Sequence, residues 1–296
     1  MEIIFLGTSA MVPTKERNHS GLLLNYRSEH ILIDCGEGIQ RQLKKIGYPL
    51  PNITKILISH LDGDHILGLM GLFQSLSGSE YKKTLEIYGP KGTNSFINGL
   101  FRLYGAKVNY EIKVKDVSGG KFIDSDDFYI EARGLKHTKP TLGYSFVEKD
   151  FRRVEKSKLK VLKLPNGPMI GKLASGKSVQ HNGKTIKPDD VSSKVKGKKV
   201  TIIMDTMYHE DSVKLAKDAD VVVCDSTYTS EFEKKALKYK HMTAGQAGTL
   251  AKKAKAKHLV LTHFSARYKN AKPLEKDAQK VFKNSRAAQD FMRIKL

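Results

Sequence analysis

Cysteine is scarce in this chain. Cys35 and Cys224 are the only two in 296 residues, too few for a disulfide framework, and a reducing cytoplasm is the compartment they imply. Long apolar runs are absent as well. None approaches the roughly 20 residues that cross a bilayer as a helix, which argues against a membrane protein of that kind. The opening stretch, Met1-Glu2-Ile3-Ile4-Phe5-Leu6-Gly7, lacks the charged n-region and long h-region of a signal peptide and reads as a first strand. Acid is in short supply: 31 Asp and Glu face 52 Lys and Arg, a formal net charge of +21. A surplus of that size favours a polyanionic partner, most simply nucleic acid. No internal repeat is visible.

What is present is ordinary globular material, 40% hydrophobic and 28% charged. A domain near this size buries roughly 75% of its unfolded surface, enough for a substantial core. Strands are expected at Ile3–Leu6, Leu22–Leu24, Ile31–Asp34, Ile56–Ile58, Leu85–Pro90, Val200–Met204, Val221–Cys224 and Leu259–Thr262. Helices are expected at Ile39–Ile46, at Gly92–Tyr104, over the short amphipathic stretch Val213–Ala219, and at Ala244–Ala256. Ile66–Leu76 is apolar on nearly all sides, as a buried helix is. Mixed strands and helices in this order fit an α/β fold with two sheets face to face and helices outside.

Residues 149–199 differ in character. They carry 15 Lys and Arg against 4 Asp and Glu, about half the surplus charge in a sixth of the length. Pro165-Asn166-Gly167-Pro168, Gly171, Gly176 and Gly183 interrupt any long helix. The segment reads as a basic insertion projecting from a single domain that spans 1–296.

The most informative stretch runs from Ile53 to Leu69. The apolar run Ile56-Leu57-Ile58 stops on Ser59, and His60, Asp62, Asp64 and His65 follow within six positions. Imidazole and carboxylate suit zinc, and Gly63 gives the turn that could aim such side chains at one point. The same pattern recurs. Met204 precedes Asp205, Cys224 precedes Asp225, Thr262 precedes His263, and His137 stands alone in Gly134-Leu135-Lys136-His137-Thr138. Crevices at strand ends are where α/β folds set their sites.

The loop after Ser59 resembles the His-x-His-x-Asp-His signature of the metallo-β-lactamase superfamily, with Asp62 in place of the second His. Further stretches resemble the ribonuclease Z family within it. Pro13-Thr14-Lys15-Glu16-Arg17-Asn18 is similar to the family's Pro-x-Lys-x-Arg-Asn loop, and His263-Phe264-Ser265-Ala266-Arg267-Tyr268 to its His-x-Ser-x-Arg-Tyr. Cys224-Asp225-Ser226-Thr227 stands where the family has His-Glu-Ala-Thr, and His241-Met242-Thr243 where it has His-Ser-Thr. The resemblance implies a four-layer αββα sandwich whose 149–199 insertion is a flexible arm, or exosite, for tRNA.

It also implies a set of roles. His60, Asp62 and His137 would hold one Zn2+, and Asp64, His65 and His263 the other, with Asp205 between them. Asp64 would accept a proton from water, and His241, oriented by Asp225, would donate one to the leaving 3′ oxygen, a task suited to an imidazole. Lys15, Arg17, Asn18 and Arg267 would contact RNA. The expected reaction is removal of the 3′ trailer from precursor tRNA, leaving a 3′-hydroxyl, by a cytoplasmic homodimer that does not engage a membrane. Asp62 is shorter and harder than imidazole, so Mn2+ or Fe2+ could replace zinc at its site and activity could fall. Two rival readings follow: an RNA-binding protein with an impaired centre, or a small phosphodiester or ester hydrolase of the same superfamily.

Overall fold

In the strand Glu2–Gly7, Ile3 and Phe5 face one way, Ile4 and Leu6 the other, and all four are buried. Burial on both faces makes a strand read as a continuous apolar run instead of an alternating one. The computed structural model describes residues 1–296 and contains two such sheets of seven strands. The first is ordered Arg293–Lys295, Glu2–Gly7, Gly21–Tyr26, Glu29–Ile33, Lys55–Leu57, Leu85–Gly89, Ile112–Asp116. The second is ordered Ser285–Ala287, His258–Thr262, Val221–Asp225, Lys199–Ile203, Pro140–Glu148, Phe128–Lys136, Gly120–Asp124.

Ile3, Leu24, Ile33, Ile130, Tyr144, Val223 and Val260 interdigitate between the sheets. The outer face of the first sheet, with Leu23, Leu32 and Ile56, is covered by Leu43, Leu72 and Phe73 from the helices Ile39–Lys45 and Leu69–Gly78. The outer face of the second, with Val222 and Leu259, is covered by Leu215, Leu250 and Leu274 from the helices Glu210–Ala216, Ala244–Lys253 and Lys272–Gln279. The result is the αββα layering. Truncating a side chain such as Phe73, fully buried, to Ala should cost about 3–5 kcal/mol.

Each sheet is antiparallel on one side and parallel on the other. Glu29–Ile33 and Lys55–Leu57 run parallel in the first, and Lys199–Ile203, Val221–Asp225 and His258–Thr262 in the second. The residues that follow their carboxyl ends are Asp34, Ser59-His60, Asp205 and His263, with Asp225 ending its own strand. Parallel pairing therefore delivers all of these to one rim of the sandwich.

Two helices depart from expectation. Ile66–Leu76 is not continuous: a turn Gly63–Ile66 ends, Leu67 is exposed, and the helix restarts at Leu69. Gly68 lies against the loop after Ile33, where a Cβ would sit 2.1 Å from the Gly36 carbonyl oxygen. Tertiary contact, not periodicity, sets that break. The helix expected over Val213–Ala219 begins earlier, at Glu210, because His209 Nδ1 accepts from the Asp211 N–H and caps it.

The chain leaves the sandwich after Pro140–Glu148 and returns at Lys199–Ile203, two strands that pair directly. In between, Phe151–Val154 and Ser192–Val195 pair as an antiparallel stalk. Beyond it lie the short helices Lys156–Val161, Pro168–Ala174 and Pro188–Val191 and a hairpin of Val179–His181 with Lys184–Ile186. They enclose a small apolar core of their own, Leu159, Leu164, Leu173, Val179, Ile186 and Val191. No helix of the chain is long and apolar enough to cross a membrane.

Candidate metal centre

Imidazoles and carboxylates from four segments meet at the rim. His65 Nε2 lies 3.4 Å from Asp64 Oδ2, 3.3 Å from Asp205 Oδ1 and 3.3 Å from His263 Nε2. His263 Nε2 is 3.3 Å from Asp64 Oδ2 and 3.1 Å from Asp205 Oδ1. Beside this group, Asp62 Oδ2 lies 3.3 Å from His60 Nε2 and 3.4 Å from His137 Nε2. The other oxygen of Asp205, Oδ2, faces that second group at 3.7 Å from His60 and 3.9 Å from His137. One carboxylate thus presents an oxygen to each trio.

What aims these rings is the other nitrogen of each. His65 Nδ1 donates to Asp34 Oδ2 at 2.7 Å, and Asp34 also accepts from the Ser59 N–H and hydroxyl at 2.7 and 2.8 Å. His60 Nδ1 meets the Ser59 hydroxyl at 2.9 Å. His137 Nδ1 donates to the Lys240 carbonyl at 3.1 Å, and His263 Nδ1 lies 3.1 Å from the Thr227 hydroxyl. Holding Nδ1 so that Nε2 points inward is the usual support of a metal-ligating histidine. Both Asp34 and His263 adopt left-handed backbone, φ 59° and 62°, an uncommon state for a residue with a side chain.

Electrostatics agree with the geometry. Burial would raise the Asp205 carboxyl, but the imidazoles of His263, His65 and His60 outweigh it and hold it well below the carboxylate range. For His263, burial pulls downward while Asp205, Asp225 and Asp64 push it up to about 10. His60 moves the opposite way, lowered by burial and by the neighbouring His65. Asp62 is depressed by the imidazoles of His137 and His60 beside its Oδ2. Ionised acids are crowded against nitrogen donors, and two buried atoms, His60 Nε2 and Asp205 Oδ1, have no hydrogen-bond partner. Divalent cations would satisfy these groups, and a mixed imidazole and carboxylate set suits zinc.

His241 adjoins the centre. Its Nδ1 donates to Asp225 Oδ2 at 3.0 Å and lies 3.9 Å from Asp205 Oδ2. Asp225 is itself fixed by the Thr227 hydroxyl at 2.6 Å and the N–H groups of Thr227, Thr206 and Met242. A cleft of about 420 Å³ lies over the centre, walled also by Met11, His19 and Leu67. A neighbouring hollow of about 470 Å³ is walled by Tyr228, Lys235, Tyr239 and His241.

The four residues expected to face RNA do not share one environment. Lys15 and Arg267 are exposed, Arg267 stacking 3.8 Å over the Phe232 ring. Arg17 differs from expectation: it is 8% exposed and donates to the carbonyls of Tyr268 at 2.6 Å and Ser265 at 3.5 Å. Its charge is spent inside, clamping the loop to the segment after His263. Asn18 likewise donates to the Glu37 carbonyl at 2.7 Å. Sequence reasoning also missed Asp34 and Lys139. Asp34 shows the same sign as the other strand-end acids, since it closes Ile31-Leu32-Ile33. Lys139, whose Nζ reaches Asp62 Oδ1 at 2.5 Å, carried no such sign.

Residues 1–96 match a family model described as anti-Pycsar protein Apyc1, and residues 176–264 one described as a beta-lactamase superfamily domain. The chain is 41% identical to a ribonuclease Z of Streptococcus pyogenes, over 98% of each chain. It is 36% identical to a ribonuclease Z of Archaeoglobus fulgidus, over 100% of this chain and 97% of that one. Among solved structures it is similar to human tRNase Z, short form, with TM-score 0.74 and 29% identity, covering 100% of this chain and 99% of the other.

Proposed function

This chain belongs to the ribonuclease Z family, an endoribonuclease on the metallo-β-lactamase fold, and on that premise we propose that it removes the 3′ trailer from precursor tRNA. The observation that carries this reading is the shared carboxylate of Asp205, with one oxygen toward His65 and His263 and the other toward His60 and His137.

Two zinc ions fit the donor set, one with Asp64, His65 and His263 and one with His60, Asp62 and His137. Such a pair would supply Lewis acidity toward the scissile phosphate and a more acidic water. The rest belongs to the chain. Asp64 Oδ2, held by the Met11 N–H at 2.8 Å, is oriented to accept the proton of the attacking water. As water adds to phosphorus, the bond from phosphorus to the 3′ oxygen breaks, and His241 Nε2 protonates that oxygen. Asp225 orients the ring by accepting from Nδ1–H, and the proton transferred is the Nε2–H of the doubly protonated imidazolium, which leaves the ring neutral. Products are a 3′-hydroxyl on the tRNA and a 5′-phosphate on the trailer. General acid assistance of this kind contributes about 10²–10⁴-fold.

The basic arm at 149–199 grips tRNA away from the cut, in a homodimer whose arm serves the opposite subunit. The net charge of +21 supports a phosphate-rich partner. Asp62 keeps an oxygen between His60 and His137, which favours a working centre over an inert RNA-binding module. The test is cleavage of one precursor tRNA by purified protein, with metal content measured on the same sample. A single cut at the trailer boundary with two zinc per chain is expected. Absence of cleavage by the fully loaded protein would overturn the reading.

A further inference from the structure

The half of the centre built from His60, Asp62 and His137 depends on two loops that share no hydrogen-bonded strand. His60 and Asp62 lie in the loop after Lys55–Leu57, and His137 in the bend joining Phe128–Lys136 to Pro140–Glu148. Lys139 sits in that same bend and joins the two. Its ammonium lies 2.5 Å from Asp62 Oδ1 and donates to the Leu61 carbonyl at 3.1 Å. Both contacts are made to the loop that carries His60 and Asp62.

The division of the Asp62 oxygens gives this contact its meaning. Oδ1 is taken by Lys139, while Oδ2 alone faces His60 and His137. A free carboxylate has two equivalent oxygens and can rotate to offer both. An imidazole has no such freedom. We propose that Lys139 is a positioning residue that makes Asp62 a one-oxygen metal donor, so that Asp62 and Lys139 together replace a single neutral histidine. The pair has the net charge of an imidazole, zero, and the ion sees one fixed donor atom. This inference rests on the metal reading of the site given above.

Two effects of removing Lys139 oppose each other. Loss of a nearby positive charge favours the cation, but this ammonium is 52% exposed and screened by water, so the gain is no more than about five-fold. Loss of the partner that orients a ligating carboxylate typically costs ~10–100-fold in metal affinity. Orientation wins, and zinc binding weakens.

The experiment measures zinc affinity of the full-length protein in metal-buffered solution, for the native chain and for Lys139→Met, Lys139→Arg, Asp62→His and Asp62→His/Lys139→Met. Lys139→Met should weaken the weaker of two zinc sites by ~10-fold or more, and Lys139→Arg should restore most of it. In the Asp62→His background Lys139→Met should change nothing, because the imidazole needs no orienting cation. Equal or tighter zinc binding by Lys139→Met overturns the inference, as does the same loss in both backgrounds. A native chain that binds no zinc overturns the metal reading and this inference together; two tight zinc ions that ignore Lys139 overturn this inference alone. Lys139 is half exposed and packs no core, and thermal melting of each zinc-free variant verifies that the fold is intact.

Discussion

The two halves of the centre are built to different standards. Around His65 and His263 every support is buried: Asp34 is 1% exposed, Asp225 0% and Thr227 2%. Around His137 and Asp62 the supports are the Lys240 carbonyl and the half-exposed Lys139. The deep half is held by strands of both sheets and the shallow half by loop ends. A position held by strands fixes its donors through the packing of the whole sandwich. One held by loops must be tied down locally, and substitution of its ligands is better tolerated because only a few contacts change.

The contrast can be broken most severely at Asp205, which both halves share. Asp205→Ala should empty the centre, with a loss of zinc affinity beyond the roughly 100-fold that marks the upper end for a residue merely supporting a ligand; elemental analysis reads it directly. His241→Ala separates chemistry from metal. Cleavage should fall by about 10²–10⁴-fold while both halves keep their zinc, and parallel measurement of rate and metal content shows it. Asp34→Ala acts first on the deep half and reaches the shallow one only through the Ser59 hydroxyl on His60 Nδ1. Zinc affinity of the deep half should drop ~10–100-fold, and stability of the zinc-free fold by about 1–3 kcal/mol, because the buried donors of Ser59 lose their acceptor. Chemical denaturation and zinc titration measure the two parts. Asp62→His is the mildest. It should raise the zinc preference of the shallow half over manganese by less than ~10-fold, visible when the two ions compete at equal free concentration.

How much of this was legible beforehand follows from where the information is held. Continuous apolar runs such as Ile31-Leu32-Ile33 and Val221-Val222-Val223 declare strands buried on both faces, and the sheets contain them. Polar residues closing those runs point to the rim, because parallel strands share a direction. The break at Leu67-Gly68 was hidden, since it answers to the carbonyl of Gly36, more than thirty positions away. The final strands Ser285–Ala287 and Arg293–Lys295 are three residues each and partly polar, too short to show any period. The burial of Arg17 was hidden for a related reason. A basic residue in a basic loop looks ready for phosphate, and only the folded chain reveals the two carbonyls that claim it. Lys139 and Asp62 are far apart in the chain, and nothing local announces that they meet.

The forked carboxylate of Asp205 has one more consequence. With an oxygen committed to either side, its torsion cannot be set for one ion without being set for both. The first ion to arrive freezes that rotamer for the second, so filling the deep half is expected to raise the affinity of the shallow one.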